Sequence, residues 1–199
     1  MSIWFGPHVA DDSDLRLCGD LAGKRAIELG ISHPPQAPGP NSIEMALAGA
    51  KAMAVDPSIE RITAARVAAE HAEVSVQCQH GDLADLGFAT SASVDLVVAA
   101  HSLGGVDDLP RLLRQVHRVL KPGASFVVAM PHPIATMFDS GDMQPRRRYG
   151  DVGISISELY MSFERSNFHL DSIHELNDRR HRDALVPAVL VVRARKLGV

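Results

Sequence analysis

The sequence predicts an α/β protein: a doubly wound, seven-stranded sheet, mostly parallel, with helices on both faces and an antiparallel hairpin at its C-terminal end. Three observations carry this. Short apolar runs alternate with segments of helical period along most of the 199 residues. Acidic or polar residues follow successive apolar runs, on the side where a parallel sheet binds its ligands. The last two strand-like runs, Phe168–Glu175 and Ala188–Lys196, have no helical segment between them, so they should pair antiparallel.

The elements follow in order. Asp11–Leu21 suits a short helix capped by Asp12 or Ser13, within a helical N-terminal segment over residues 1–23. Lys24–Leu29 is a short buried strand that breaks at Gly30. Asn41–Gly49 is helical, with Asn41 or Ser42 as cap and Gly49 as its end. Ala50–Val55 is a strand ending at Asp56-Pro57-Ser58. Ser58–His71 is rich in alanine and paired charges, with apolar residues at Ile59, Ile62 and Ala65 to Ala69, and reads as a helix. Val74–Gln79 is a strand closed by His80-Gly81-Asp82, and Val94–Ala100 is a fully buried central strand. Leu109–Leu120 carries a helical apolar stripe and stops at Lys121-Pro122-Gly123, before the strand Ala124–Met130. Residues 131–153 form an irregular loop, followed by a helix over Ser155–Ser166.

Composition bounds the function. The chain is 46% hydrophobic and 22% charged, with net charge −4, and reads as a single domain over residues 1–199. No long basic run marks a nucleic-acid or anionic-membrane surface; the cluster Arg146–Arg148 reads as solvated loop. No apolar stretch is long enough to span a membrane, and Met1–Ala10 lacks the pattern of a secretory leader. Cys18 and Cys78 lack metal-ligand spacing and read as buried thiols, which suits a cytoplasmic protein. His169, His174 and His181 show no metal-site pattern, and there is no GxSxG nucleophile elbow, so no metal is expected.

The chemistry sits at the strand ends. Glu28-Leu29-Gly30 follows the first strand, Asp56 the second, Gly81-Asp82-Leu83 the third, Ala100-His101-Ser102 the fourth and Pro131-His132-Pro133 the fifth. A carboxylate after the second strand can accept both hydroxyls of a ribose. One after the third can accept from the exocyclic amine of adenine.

The pieces RAIELG, AMAVDPS, HGDLADL, SVDLVVAAHSL and QVHRVLKPGASFVVAMPHP, in this order, resemble the class I S-adenosylmethionine-dependent methyltransferases, in particular their small-molecule branch. The resemblance runs from Leu21 to Lys196. It implies a Rossmann-like fold, S-adenosylmethionine as cofactor and methyl transfer to a small-molecule acceptor. It further implies that Glu28, Gly30 and Ile31 lie near the methionine part of the cofactor, with Gly39 closing the motif. Asp56 would hold the ribose, with Pro57 beside the adenine. Gly81, Asp82 and Leu83 would border the adenine, and Ala99, Ala100 and His101 would line the methionine and the reacting methyl. His101, His132 and Tyr149 are the candidate acceptor-side residues; the resemblance designates no catalytic residue, acceptor atom or oligomeric state.

One segment departs from the pattern. The family's first motif is acid-x-Gly-x-Gly-x-Gly, whereas here Gly30 is followed by ISHPPQAPGP. Four prolines remove amide donors, and Ile31 and Ser32 carry side chains where glycine leaves room. Two other readings follow: a methyltransferase-like protein that binds cofactor poorly and serves a binding or structural role, and a nicotinamide-dependent oxidoreductase. The latter is disfavoured by the absence of a glycine fingerprint and by the terminal hairpin.

Overall fold

The computed structural model describes residues 2–32, 38–139, 144–181 and 183–198. Its strands are β1 (Arg25–Leu29), β2 (Lys51–Asp56), β3 (Val76–His80), β4 (Val94–Ala100), β5 (Leu120–Pro131), β6 (Phe168–Leu176) and β7 (Val189–Lys196). They form one sheet in the order β3-β2-β1-β4-β5-β7-β6. β1 to β5 pair in parallel, while β7 is inserted antiparallel between β5 and β6. The expected mostly parallel sheet with an antiparallel C-terminal pair is therefore present.

The helices are α1 (Asp12–Leu15), α2 (Asn41–Leu47), α3 (Ile59–His71), α4 (Leu109–Val119) and α5 (Ile156–Arg165). One face of the sheet packs Ile27, Val97, Phe126 and Val192 against Leu112, Leu113, Val116 and Val119 of α4 and Leu159 and Phe163 of α5. On the other face, Ala26, Leu96, Val98 and Val127 meet Met45 of α2 and the N-terminal residues Ile3, Phe5 and Leu17, while Ile62 and Ala65 of α3 cover Ala54. β4 feeds both layers because successive side chains alternate: Val97 and Ala99 enter one, Leu96, Val98 and Ala100 the other.

The helix starts are set by short polar side chains. Ser58, Asp108 and Ser155 accept the amides of Arg61, Arg111 and Glu158. Between β3 and β4 a run of turns stands where a helix would otherwise cross. It is held by the Arg118 guanidinium, which donates to the carbonyls of Leu86 (2.8 Å) and Ala89 (3.0 Å).

Several local expectations change. The first helix is one turn, not Asp11–Leu21: Asp11 caps it, and Arg16 ends it in the left-handed region at φ 53°. The Asp12 carboxylate then accepts the amides of Leu17 and Cys18, which bends the chain out of helical geometry. The rest of the N-terminal segment is laid against the sheet through Ile3, Phe5, Val9, Leu17 and Leu21. Lys121-Pro122-Gly123 ends α4 but not the pairing, because β5 begins at Leu120, opposite Val94, with a register shift before Leu96. β3 starts at Val76, two residues later than expected, and Ile59 is exposed at the head of α3.

Candidate functional site

The strand order reverses between β1 and β4, so the chains leaving their carboxyl ends diverge and open a crevice. Gly30 lies at its floor with φ +78°, and its amide donates to Val55 O at 2.9 Å. A Cβ there would fall 2.3 Å from the Ser102 Cβ, so only glycine fits. Ser102 crosses over Gly30 and donates its hydroxyl to Leu29 O at 2.5 Å, tying β1 to the end of β4.

Glu28 is buried, and its two oxygens accept the amides of Asn41 (2.9 Å) and Ser42 (2.8 Å). It thus caps α2 from thirteen residues upstream, the role the sequence assigned to Asn41 or Ser42. Burial pushes its carboxyl above the ordinary range, opposed by the Ser42 and Asn41 hydrogen bonds. Asn41 instead turns its side chain to Trp4, accepting that residue's amide at 2.7 Å and donating to its carbonyl at 3.0 Å.

Asp56 is 0% exposed. Oδ2 accepts the Ile31 amide at 2.7 Å, Oδ1 accepts the Ser58 amide at 2.8 Å, and the Arg61 guanidinium lies 3.5 Å from Oδ2. The Ile31 side chain is also fully buried, among Ala54, Ile62 and Ala65 beneath α3. It points into the fold rather than across the crevice, where a side chain replacing glycine was expected to intrude.

Two clefts open at the carboxyl edge. One, of about 580 Å³, is lined by Pro57, residues 80–84, Val106, Asp107, Asp108 and Arg111. It contains the predicted Pro57, Gly81, Asp82 and Leu83. The Asp82 side chain is 60% exposed there, with Arg111 at 3.7 Å. The other, of about 480 Å³, is lined by Pro7, Ile31, Ser32, Arg61, His101, Ser102, Pro131, Asp178, Ala188 and Val189.

His101 takes a left-handed backbone, φ 56°, a region uncommon for non-glycine residues although histidine enters it more readily than most. Its Nε2 lies 2.8 Å from the Phe5 carbonyl, and a carbonyl only accepts, so Nε2 carries the proton. Trp4 packs beside the ring at 5.4 Å. Burial depresses the His101 pKa below its ordinary value, against the Phe5 hydrogen bond, and favours the neutral imidazole.

The remaining candidates stand elsewhere. Ala99 and Ala100 are buried in the two core layers and line neither cleft. His132 is fully buried, with Nδ1 accepting the Ile134 amide and Nε2 2.8 Å from Glu175 Oε1, so it braces the start of the irregular loop against β6. Tyr149 lines an apolar groove with α5 and β6, and its hydroxyl accepts the Ile156 amide. Gly39 has open space around it, and His33–Ala37, the centre of the Pro-rich loop, lie outside the described residues. Arg147 is held by the carbonyls of Thr136 and Phe138 rather than left free in solvent. Sequence reasoning missed Arg61 and Asp178 as cleft residues. Arg61 has a local signal, lying one helical turn after Asp56-Pro57-Ser58; Asp178 has none, because only the β6–β7 turn brings it there.

Comparison with known proteins places this geometry. Residues 37–128 match a methyltransferase-domain family. The match begins at residue 37, after β1 and Gly30. A probable S-adenosylmethionine-dependent methyltransferase of Mycolicibacterium smegmatis is 28% identical over 138 residues, covering 65% of this chain and 51% of that protein. The mitochondrial arginine-hydroxylase NDUFAF5 of Danio rerio is 40% identical over 58 residues, covering 29% of this chain and 18% of that protein. The chain therefore spans about half the length of the first relative and less of the second. The crystal structure of an S-adenosylmethionine-dependent methyltransferase from Mesorhizobium loti superposes with a TM-score of 0.74 at 21% identity, covering 92% of this chain and 96% of that one. Together these findings give a methyltransferase-domain match over residues 37–128 and a fold shared with solved S-adenosylmethionine-dependent methyltransferases. S-adenosylmethionine is the cofactor named for the first relative and for the solved structure.

The residues present fit that cofactor unevenly. The 580 Å³ cleft offers apolar walls from Pro57, Leu83 and Val106 with an exposed acceptor at Asp82, which suits an adenine ring. The 480 Å³ cleft has room and polar groups for an amino-acid part or an acceptor. Asp56 lines neither cleft, and its oxygens are satisfied internally, so as arranged it does not fit a ribose.

Proposed function

We propose that this protein methylates a small-molecule acceptor, with S-adenosylmethionine as methyl donor. The observation that carries the reading is the pair of clefts at the carboxyl ends of the strands, both bordered by residues that follow β4, each of small-molecule size. Pro57, Asp82 and Leu83 take the adenine end. Ser32, His101 and Ser102 line the space for the acceptor, and the buried Glu28 cap with the Ser102–Leu29 bond keeps the crevice floor rigid. A displacement at a methyl carbon needs alignment of donor and acceptor more than covalent help, and a rigid floor supplies that. The net charge of −4 favours a small acceptor over a nucleic acid. Among the described residues no helix is long and apolar enough to cross a membrane.

A second reading, a cofactor-impaired relative with a binding role, is favoured by the internal satisfaction of Asp56. Mass spectrometry of small molecules released from the purified protein separates the two. Co-purified S-adenosylmethionine or S-adenosylhomocysteine supports the enzyme. No adenosyl compound, together with no turnover against a panel of small hydroxyl and amine acceptors, supports the second reading.

A further inference from the structure

Asp56 lies between the two clefts but opens into neither. Pro57, which follows it, lines the adenine-side cleft; Ile31 and Arg61, which bond to it, line the other. A ligand that joins an adenine to an amino acid through a ribose has to cross this boundary. The carboxylate after the second strand is the group suited to accept the ribose hydroxyls there. Here each of its oxygens already accepts a backbone amide, at 2.7 and 2.8 Å, and the side chain is shut off from solvent. The Ser58 contact is a turn within Asp56-Pro57-Ser58 and leaves Oδ1 with its remaining lone pair. The Ile31 contact is different: it comes from another strand end, 25 residues away, and is locked by burial of the Ile31 side chain among Ala54, Ile62 and Ala65. A glycine at 31 would carry the same amide but no such anchor.

We propose that Ile31 sets the affinity of this protein for adenosyl ligands by competing with the ribose for Asp56. The inference rests on the cofactor reading above. Its N–H holds Oδ2, its side chain pins that N–H, and the Arg61 ion pair closes the remaining approach. Adenosyl binding then requires residues 31–32 to withdraw, after which the two clefts join across a freed carboxylate. The apparent affinity falls by the fraction of molecules in the withdrawn state. A buried hydrogen bond to a charged group corresponds to roughly a tenfold to hundredfold bias toward the closed state.

The test uses calorimetric titration of S-adenosylhomocysteine into the whole protein and into two variants, with a crystal structure of the wild-type complex. Ile31→Gly, which removes the anchor, is expected to bind about tenfold tighter than wild type, and Asp56→Asn to lose binding. In the wild-type complex, Ile31 N is expected beyond hydrogen-bonding distance of Asp56, with ribose hydroxyls in its place. The proposal is overturned if Ile31→Gly, folded by circular dichroism, binds no tighter than wild type. Should that variant fail to fold, the complex decides: an Ile31 amide still bonded to Asp56 beside bound ligand overturns the proposal equally. If neither wild type nor folded Ile31→Gly binds at millimolar ligand, the cofactor reading itself falls, a result distinct from binding that is indifferent to Ile31.

Discussion

At the scale of single residues, buried carboxylates organise the ligand edge of this sheet. Glu28 supplies both acceptors for the opening amides of α2, a helix whose first residue, Asn41, turns its own side chain to Trp4. Glu28→Ala leaves two buried donors without partners and is expected to cost about 3 kcal/mol in urea unfolding. Glu28→Gln keeps one acceptor and is expected to cost less. His101 gives a pH signature. Burial depresses its folded-state pKa, so below the ordinary histidine value the unfolded chain takes up a proton that the folded chain refuses. The stability from this group is present above the unfolded pKa and is lost as pH falls through the folded value. The stability gap between wild type and His101→Asn should therefore narrow between about pH 8 and about pH 5. Thermal unfolding of both proteins across that range measures it, and a constant or widening gap contradicts the assignment.

At the scale of elements, the two unusual pieces are the N-terminal strap and the helix-free β3–β4 connection. The strap is fixed by Phe5, which is fully buried and offers its carbonyl to His101. Phe5→Ala is expected to cost about 3–5 kcal/mol by creating a cavity and to loosen the His101 ring at the same time. NMR would show the second effect as a His101 pKa returning toward the ordinary value. The β3–β4 connection depends on Arg118, whose guanidinium replaces the hydrogen bonds a crossing helix would make internally. Arg118→Ala is expected to destabilise the protein by about 2 kcal/mol and, because Leu83 lies in the same segment, to weaken adenosyl binding. A variant with unchanged stability would show that the turns hold themselves.

At the scale of the whole molecule, what sequence reveals follows the range of the interaction. β4 is legible to the residue because Val94–Ala100 is apolar at every position but Asp95 and buried on both faces from Leu96 onward, which requires only local pattern. The terminal antiparallel pair is legible because a missing helix excludes a parallel crossover. The first helix is not, since Asp12 bonds to Leu17 and Cys18 and diverts a chain of adequate helical propensity. The site divides likewise. Pro57, Asp82, Leu83 and His101 stand at strand ends and line the clefts that strand order predicts. The closure of Asp56 by Ile31, the capping of α2 by Glu28 and the burial of His132 against Glu175 join residues far apart in sequence. No local pattern encodes them. The lack of glycines after Gly30 was visible; the Ile31 side chain turned into the core with its amide on Asp56 was not.

The proposed function rests on the switch-point crevice being an adenosyl site. Thermal unfolding with and without saturating S-adenosylmethionine tests it most directly, because ligand bound by the folded state alone must raise stability. At a hundredfold excess over its dissociation constant the gain is about 2.7 kcal/mol, and a midpoint that climbs steadily with cofactor concentration is the predicted result. A midpoint unmoved up to millimolar S-adenosylmethionine, in wild type and in Ile31→Gly alike, would contradict it.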